Sequence, residues 1–427
     1  MHLALNSEKW LLLRFRIVHQ AIDMPPIPTV RRRTVFYMGG FDPKGASYYH
    51  ALYQEEAAKQ AQVSGLNIKV GKRQKSVRGN AYWLNEASGP EGLIKSRYEV
   101  LRWDDIVRQH WPRNQVRLAW DMFTTTALNL RTGALWRMLR LSWPPVVALV
   151  APVVLLLGVL LAAPLVTLLV FSALQTDKAL AAFAAVITLG SLLWAGLELQ
   201  QKYSMLWLMR SYAFTARQAL GQVPALQERL AEHARTLLDA ISHGDSDEVL
   251  LVAHSSGCIM ATSVMAKALQ LDCTLGRGTN QNTTVSLLTL GQCIPLLGCL
   301  PQAQEFRQEL HLLANAENVD WLDFCAPSDG CCFALVDPVA ACGVIPDAPH
   351  TDRPKLLSPR FADMFDAATY AALRRDRFRI HFQYLLASKY VVPYDFFAIT
   401  AGHQTLAQRF AHIPSVTDFS MFHLFNR

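Results

Sequence analysis

The chain alternates short apolar runs with longer stretches of mixed character, and this alternation predicts most of its elements. Val249-Leu250-Leu251-Val252-Ala253 is a compact apolar run and predicts a buried strand. From Cys258 to Leu269 the sequence carries an apolar face and predicts a helix. TVSLLTLG at 284–291 predicts another strand, AQEFRQELHLLANA a helix, and ENVDWLDFCAPSDG a further strand. Upstream, PALQERLAEHARTLLDAIS (224–242) predicts a helix, with Pro224 suited to its first turn. The order helix, strand, helix, strand, helix, strand is that of an α/β sheet with crossover helices.

Nearer the N-terminus, TVFYM predicts a strand, GGFDPKG a tight glycine-rich loop, and Ala46 to Gln60 an amphipathic helix. GLNIKVGKRQ, NAYWLNEA and LIKSRYEVLRW predict strands joined by polar turns. RWDDIVRQHW predicts a short helix, with Asp104 and Asp105 as caps or salt-bridge partners, since adjacent carboxylates point different ways on a helix. VPYDFFAIT (392–400) reads as the last strand.

Residues 144–197 break the pattern. No charge occurs from Pro144 to Leu174, more than the ~20 residues that cross a bilayer. After a QTDK turn, ALAAFAAVITLGSLLWAGL gives a second span. Residues 145–173 and 179–197 are therefore expected to cross as an antiparallel pair, Pro152 and Pro164 being tolerated inside a membrane helix. Arg131, Arg137 and Arg140 precede the pair, and Lys202 and Arg210 follow it, while the turn carries only Asp177 and Lys178. Trp136, Trp143, Trp194 and Trp207 fall near the expected interfaces. The positive-inside rule places both flanks in the cytoplasm. The expected organisation is 1–130, the N-terminal part of a cytoplasmic domain; 144–197, the hairpin; and 211–427, the C-terminal core.

Composition adds two constraints. The formal charge is +7, but several arginines flank the membrane pair and no nucleic-acid-binding motif is present, so the basic balance reads as membrane-facing and no nucleic-acid partner is expected. The N-terminal MHLALNSEKWLLLRFRIV has too short an apolar run, interrupted by arginines, for a secretory signal. The eight cysteines form no repeated C-x-x-C pairs, and Cys325, Cys331, Cys332 and Cys342 fit no common structural zinc spacing. Free thiols in a reducing compartment are expected, with no metal and no cofactor.

The candidate chemistry lies at Ala253-His254-Ser255-Ser256-Gly257. A strand turning abruptly into a helix, with serine at the junction, is the geometry of a nucleophile elbow. The usual pentapeptide has glycine at both ends. Alanine at its first position is a mild departure, because a small side chain is needed where strand and helix nearly collide.

The AHSSG turn, the late strand ending in an aspartate, and the still later histidines resemble the α/β-hydrolase superfamily over residues 224–410, with the glycine loop near residue 39 as a contributor. The chain as a whole resembles an uncharacterised group of bacterial membrane-associated lipase/esterase-like proteins. The fold class implied is α/β: an α/β-hydrolase-like, mostly parallel sheet with crossover helices, interrupted by a two-helix transmembrane hairpin. The location implied is the bacterial inner (cytoplasmic) membrane. The superfamily order is serine, acid, histidine. Ser255 is then the nucleophile. Asp320 and Asp323 lie within the late strand, whereas Asp329 lies in the loop beyond it, where a carboxylate can hold a histidine in one tautomer. Two histidines compete for the base. His403 follows the expected last strand, and His381 sits in an aromatic run like the histidine of class 3 lipases. His254 is expected to point away from the serine.

The oxyanion hole would use the amide of Ser256 and that of Gly40 or Phe41, since glycine lets backbone approach a ligand. GGFDPKG lacks the G-K-[ST] ending of a phosphate-binding P-loop. The implied activity is cleavage of a carboxylic ester, of hydrophobic or lipid character, by an enzyme partnered with the bilayer. The alternative is a non-catalytic, membrane-anchored, hydrolase-like domain that binds a lipid or protein partner.

Overall fold

The computed structural model describes residues 29–89, 92–112, 114–173, 178–202, 205–275, 283–349 and 352–424. The N-terminal stretch read above as lacking a secretory signal lies outside them, as does most of the QTDK turn.

The elements before the two long apolar helices are β1 (Arg32–Met38), α1 (Ala46–Ser64), β2 (Asn67–Val70), β3 (Gln74–Lys75), β4 (Ala81–Gly89), β5 (Gly92–Val100), α2 (Asp104–Gln109), α3 (Gln115–Arg131) and α4 (Ala134–Leu141). Next come α5 (Trp143–Ala173), α6 (Lys178–Lys202), α7 (Met205–Ala219) and α8 (Pro224–Ser242). The C-terminal part comprises β6 (Glu248–His254), α9 (Gly257–Leu271), β7 (Thr284–Leu290), α10 (Pro295–Gly298), α11 (Gln304–Ala314), β8 (Val319–Phe324), α12 (Pro338–Ala341), β9 (Lys355–Leu357), α13 (Ala367–Arg375), α14 (Arg377–Phe382), α15 (Phe396–Ala401) and α16 (Leu406–Phe410).

One mixed sheet organises the domain, in the order β2-β4-β5-β1-β6-β7-β8-β9, with β3 paired to β4. From β5 to β9 all neighbours are parallel, whereas β2, β3 and β5 run antiparallel to β4. β6 lies between β1 and β7, and all seven of its residues are buried, which is why its sequence is a continuous apolar run rather than an alternation. Leu230, Leu237, Ile259, Val264 and Leu310 pack one face. Tyr49, Tyr53, Tyr384, Phe397 and Phe410 pack the other.

The start of the sheet is clamped by a buried ion pair. Arg33 of β1 donates from Nε to Glu248 of β6 at 2.6 Å, both side chains fully enclosed. Its remaining nitrogens donate to the Gly402 and Gln404 carbonyls, and Glu248 Oε1 accepts from Ser286 Oγ and the Leu406 amide. Every polar atom is met by a partner, the condition under which a buried charge is tolerated.

VPYDFFAIT is not the last strand. Asp395 accepts from the amides of Phe397 and Ala398, and Phe396–Ala401 is helical. The capping carboxylate, placed after Pro393, overrides an apolar run that reads as a strand. The edge strand is instead β9, only three residues long.

α5 and α6 are 31 and 25 residues long and lie against each other, Gly196 facing Val159. Both are long and apolar enough to cross a bilayer, and most of their surface is exposed. The base of the pair is not free. Val146, Leu149 and Val153 of α5 pack with Met209, Cys293, Leu296 and Phe333 of the α/β domain.

Candidate functional site

The sequence folds β6 directly into α9 through Ser255 and Ser256. Ser255 has φ of 59°, one of three non-glycine residues with positive φ among those described. Such backbone strains an L-residue and persists only where the surroundings enforce it. Here the Ser255 amide donates to the Leu290 carbonyl at 2.8 Å, and its own carbonyl accepts from the Cys258 amide. Gly257 makes the turn possible. A Cβ there would lie 2.5 Å from the Met38 carbonyl oxygen and 2.6 Å from that of Gly39.

The loop after β1 crosses over this turn. A Cβ on Gly40 would meet Ser255 Cβ at 3.0 Å and Oγ at 3.3 Å. The Phe41 amide donates to Ser256 Oγ at 2.8 Å. Trp103 Nε1 donates to the Gly39 carbonyl and Trp207 Nε1 to that of Phe41. Two indoles, one preceding the apolar helices in the chain and one following them, thus fix the loop.

Asp329 and His381 come together beside this turn. Asp329 lies five residues beyond the end of β8, and His381 lies on α14. Each is 1% exposed. His381 Nδ1 donates to Asp329 Oδ2 at 2.8 Å, and Tyr384 Oη donates to the same oxygen at 3.1 Å. Oδ1 accepts from the Cys331 amide at 3.0 Å. Burial opposes the Asp329 charge, but the charge and hydrogen bond of His381, with the Cys331 amide, outweigh it and hold the carboxyl below its ordinary range. His381 Nε2 is buried with no hydrogen-bond partner among the described residues, so Ser255 Oγ is not bonded to it in this conformation. The Ser255 hydroxyl instead lies against the Cys293 thiol.

His254 packs on His381, ring centroids 4.7 Å apart, and its Nε2 donates to the His381 carbonyl at 2.7 Å. Burial, then the neighbouring imidazole, lowers its pKa to about 3, so the ring is neutral and acts as a support for α14. Its contact with His381 and that of Tyr384 with Asp329 are not legible as roles from the sequence. The only signal is that Tyr384 stands one helical turn after His381.

The remaining candidates lie elsewhere. His403 sits between Gly402 and Gln404, whose carbonyls bind Arg33, and its own carbonyl accepts from the Val30 amide. That is the starting end of the parallel strands, about 20 Å from Ser255 at ~3.3 Å per strand residue. Asp323 faces the sheet core, accepts from Thr289 Oγ1 at 2.6 Å, and is pushed up to about 7 by burial. Asp320 is half-buried in β8. Asp104 pairs with Arg102 and Arg108, and Asp105 pairs with Arg229. All eight cysteines are unpaired. Asp329, Cys331 and His381 offer ligand atoms within 4.8 Å of one another, the kind of group that holds a metal or a loop.

No family model, no curated protein and no solved structure matches the chain. The fold therefore defines the class on its own: a mixed α/β domain with a mostly parallel sheet, crossover helices and two long apolar helices.

Proposed function

We propose that the protein is a serine hydrolase of hydrophobic or lipid carboxylic esters, with Ser255 as nucleophile, His381 as base and Asp329 as the group that orients it. One observation carries the reading. A buried, carboxylate-held imidazole leaves its second nitrogen unpaired beside a serine held at positive φ between a strand and a helix. An orphaned buried nitrogen costs stability, and its presence at such a site is accounted for by a task.

In this mechanism Asp329 fixes the tautomer with the proton on Nδ1, leaving Nε2 to accept the Ser255 proton. Ser255 rotates from the Cys293 thiol toward Nε2 and attacks the ester carbonyl. The amides of Ser256 and Gly40 face the developing oxyanion. Gly40 is preferred to Phe41, whose amide is already given to Ser256 Oγ. His381 then protonates the leaving alcohol, and water cleaves the acyl-enzyme. The hydrophobic substrate follows from location. Pro144 of α5 approaches Gly330, next to Asp329, and Trp207 lies 6.2 Å from the His381 ring.

A second reading takes Asp329, Cys331 and His381 as metal ligands. It is weaker because the carboxylate and imidazole already satisfy each other directly, and burial beside Asp329 pushes the Cys331 thiol up, away from the thiolate a metal needs.

The test is a fluorophosphonate probe on detergent-solubilised protein, read by intact mass. One adduct per chain on Ser255, lost in Ser255→Ala with little change in thermal midpoint, is expected. No adduct on the wild type, or an adduct that persists on another serine, refutes the reading. A metal retained at one per chain and lost in Cys331→Ser would favour the other.

A further inference from the structure

We propose that residues 367–382 form a second membrane contact, an arginine-rich face that binds the anionic phospholipid headgroups of the leaflet where the α5–α6 pair begins and ends. The inference rests on that pair lying in a bilayer, and is independent of any hydrolytic activity.

The segment reads Arg374-Arg375-Asp376-Arg377-Phe378-Arg379, and all six residues are exposed. Among the described residues, Arg374, Arg375 and Arg377 have no carboxylate at ion-pair distance. Asp376 is committed to the Arg379 amide as a helix cap. Several arginines elsewhere do find a carboxylate, among them Arg33 with Glu248, Arg217 with Asp121, Arg229 with Asp105 and Arg360 with Asp363. Three exposed guanidinium groups between residues 374 and 377, without a carboxylate at ion-pair distance among the described residues, are a standing electrostatic demand, and phosphate answers it bidentately.

The position of the face identifies the anion. Arg377 Nη1 lies 3.1 Å from where a Cβ on Gly330 would sit, and Pro144, in the first turn of α5, lies 3.9 Å from the same point. Phe378, 37% exposed, packs against Trp207 with ring centroids 5.4 Å apart. Trp207 belongs to the first turn of α7, just beyond α6. α14 therefore lies between the start of one apolar helix and the exit of the other. Lys44 Nζ lies 5.6 Å from the Phe378 ring and extends the positive face. Trp136 and Trp143 are exposed beside the start of α5, and indoles of this kind sit at headgroup level. A basic segment held at that level meets lipid phosphate before any soluble anion.

The full chain is reconstituted into nanodiscs of phosphatidylcholine alone, or with about a third phosphatidylglycerol. Hydrogen exchange is then followed over 367–382. Exchange at least roughly fivefold slower in the anionic discs is expected, with the difference abolished by high salt and in R374E/R375E/R377E. R374Q/R375Q/R377Q is the milder variant and should behave likewise if the charge reversal disturbs folding. Equal exchange in the two discs, or protection that survives both variants, overturns the proposal. Failure to enter even the neutral discs would instead overturn the membrane reading of α5 and α6, and the proposal with it.

Discussion

Gly257→Ala sets two physical effects of opposite sign against each other. Gly257 is the first residue of α9, where alanine gains only a fraction of the roughly 0.8–1 kcal/mol by which it exceeds glycine in a helix interior. The new Cβ, however, would lie 2.5 and 2.6 Å from the Met38 and Gly39 carbonyl oxygens, a separation real Cβ atoms essentially never show. Those oxygens belong to the end of β1 and its loop, so no side chain can turn aside. Relief requires β1 and α9 to separate by roughly half an ångström, and overpacking of this kind costs about 1–3 kcal/mol or more. The expected net is destabilisation by about 1–2 kcal/mol, a fall of roughly 2–8 °C in midpoint for a domain of this size. The Gly39–Gly40 loop moves with the strand, so fluorophosphonate labelling should slow by roughly tenfold, half on the logarithmic scale of the hundredfold that a 1 Å misplacement can cost. Differential scanning fluorimetry in detergent and the second-order labelling rate measure the two effects. Gly190→Ala, where a Cβ meets nothing within 4 Å, reports propensity alone. A Gly257→Ala midpoint equal to or above the wild type would refute the close approach, and with it the enforced turn at Ser255.

Two further outcomes are expected. His381→Ala should lower labelling by several orders of magnitude through the bond-forming step rather than probe binding, whereas His403→Ala should leave it within a few-fold and loosen only the C-terminal segment; the reverse order would move the base to the other end of the sheet. Acid should destabilise the fold from about pH 6.5 downward, because unfolded imidazoles titrate near 6.5 while buried His254 and His233 titrate only at about 3 and 4. Each contributes stability that is complete above pH 6.5 and lost at about 1.4 kcal/mol per unit as pH falls toward its folded value. Buried Asp323, pushed up to about 7, adds stability as pH falls over the same window and offsets part of this loss, so the test is the difference between variants: His233→Gln should lose less between pH 7 and 5 than the wild type, and identical profiles would contradict the burial of that ring.

The strands of the parallel sheet were legible because burial on both faces writes them as continuous apolar runs, and the two long apolar helices because no charge interrupts them. The turn at Ser255 was legible for a related reason: a strand, a serine and a helix in nine residues leave little room for any other course. The positions of His381 and His403 were not. They depend on which sheet end each loop reaches, and the His403 loop is held at the starting end by Arg33, which donates to the Gly402 and Gln404 carbonyls across 369 and 371 residues with no local signature. Misreading 392–400 as a strand had the same origin, since the capping role of Asp395 shows only once the backbone has turned.

The pairing of β1 with both β5 and β6 has a consequence for topology. β5 ends before the apolar helices and β6 begins after them, yet both bond to one strand over six residues each. The two flanks must therefore occupy the same compartment. The chain between them can pass through a bilayer only an even number of times, whichever way it faces. A ribosome that has made β1 through β5 also holds an unfinished sheet, whose central edge stays open until the membrane segment has been placed and β6 has emerged. Were the two apolar helices to enter a bilayer, a lesion that leaves one of them outside it would strand β1 and β6 on opposite sides.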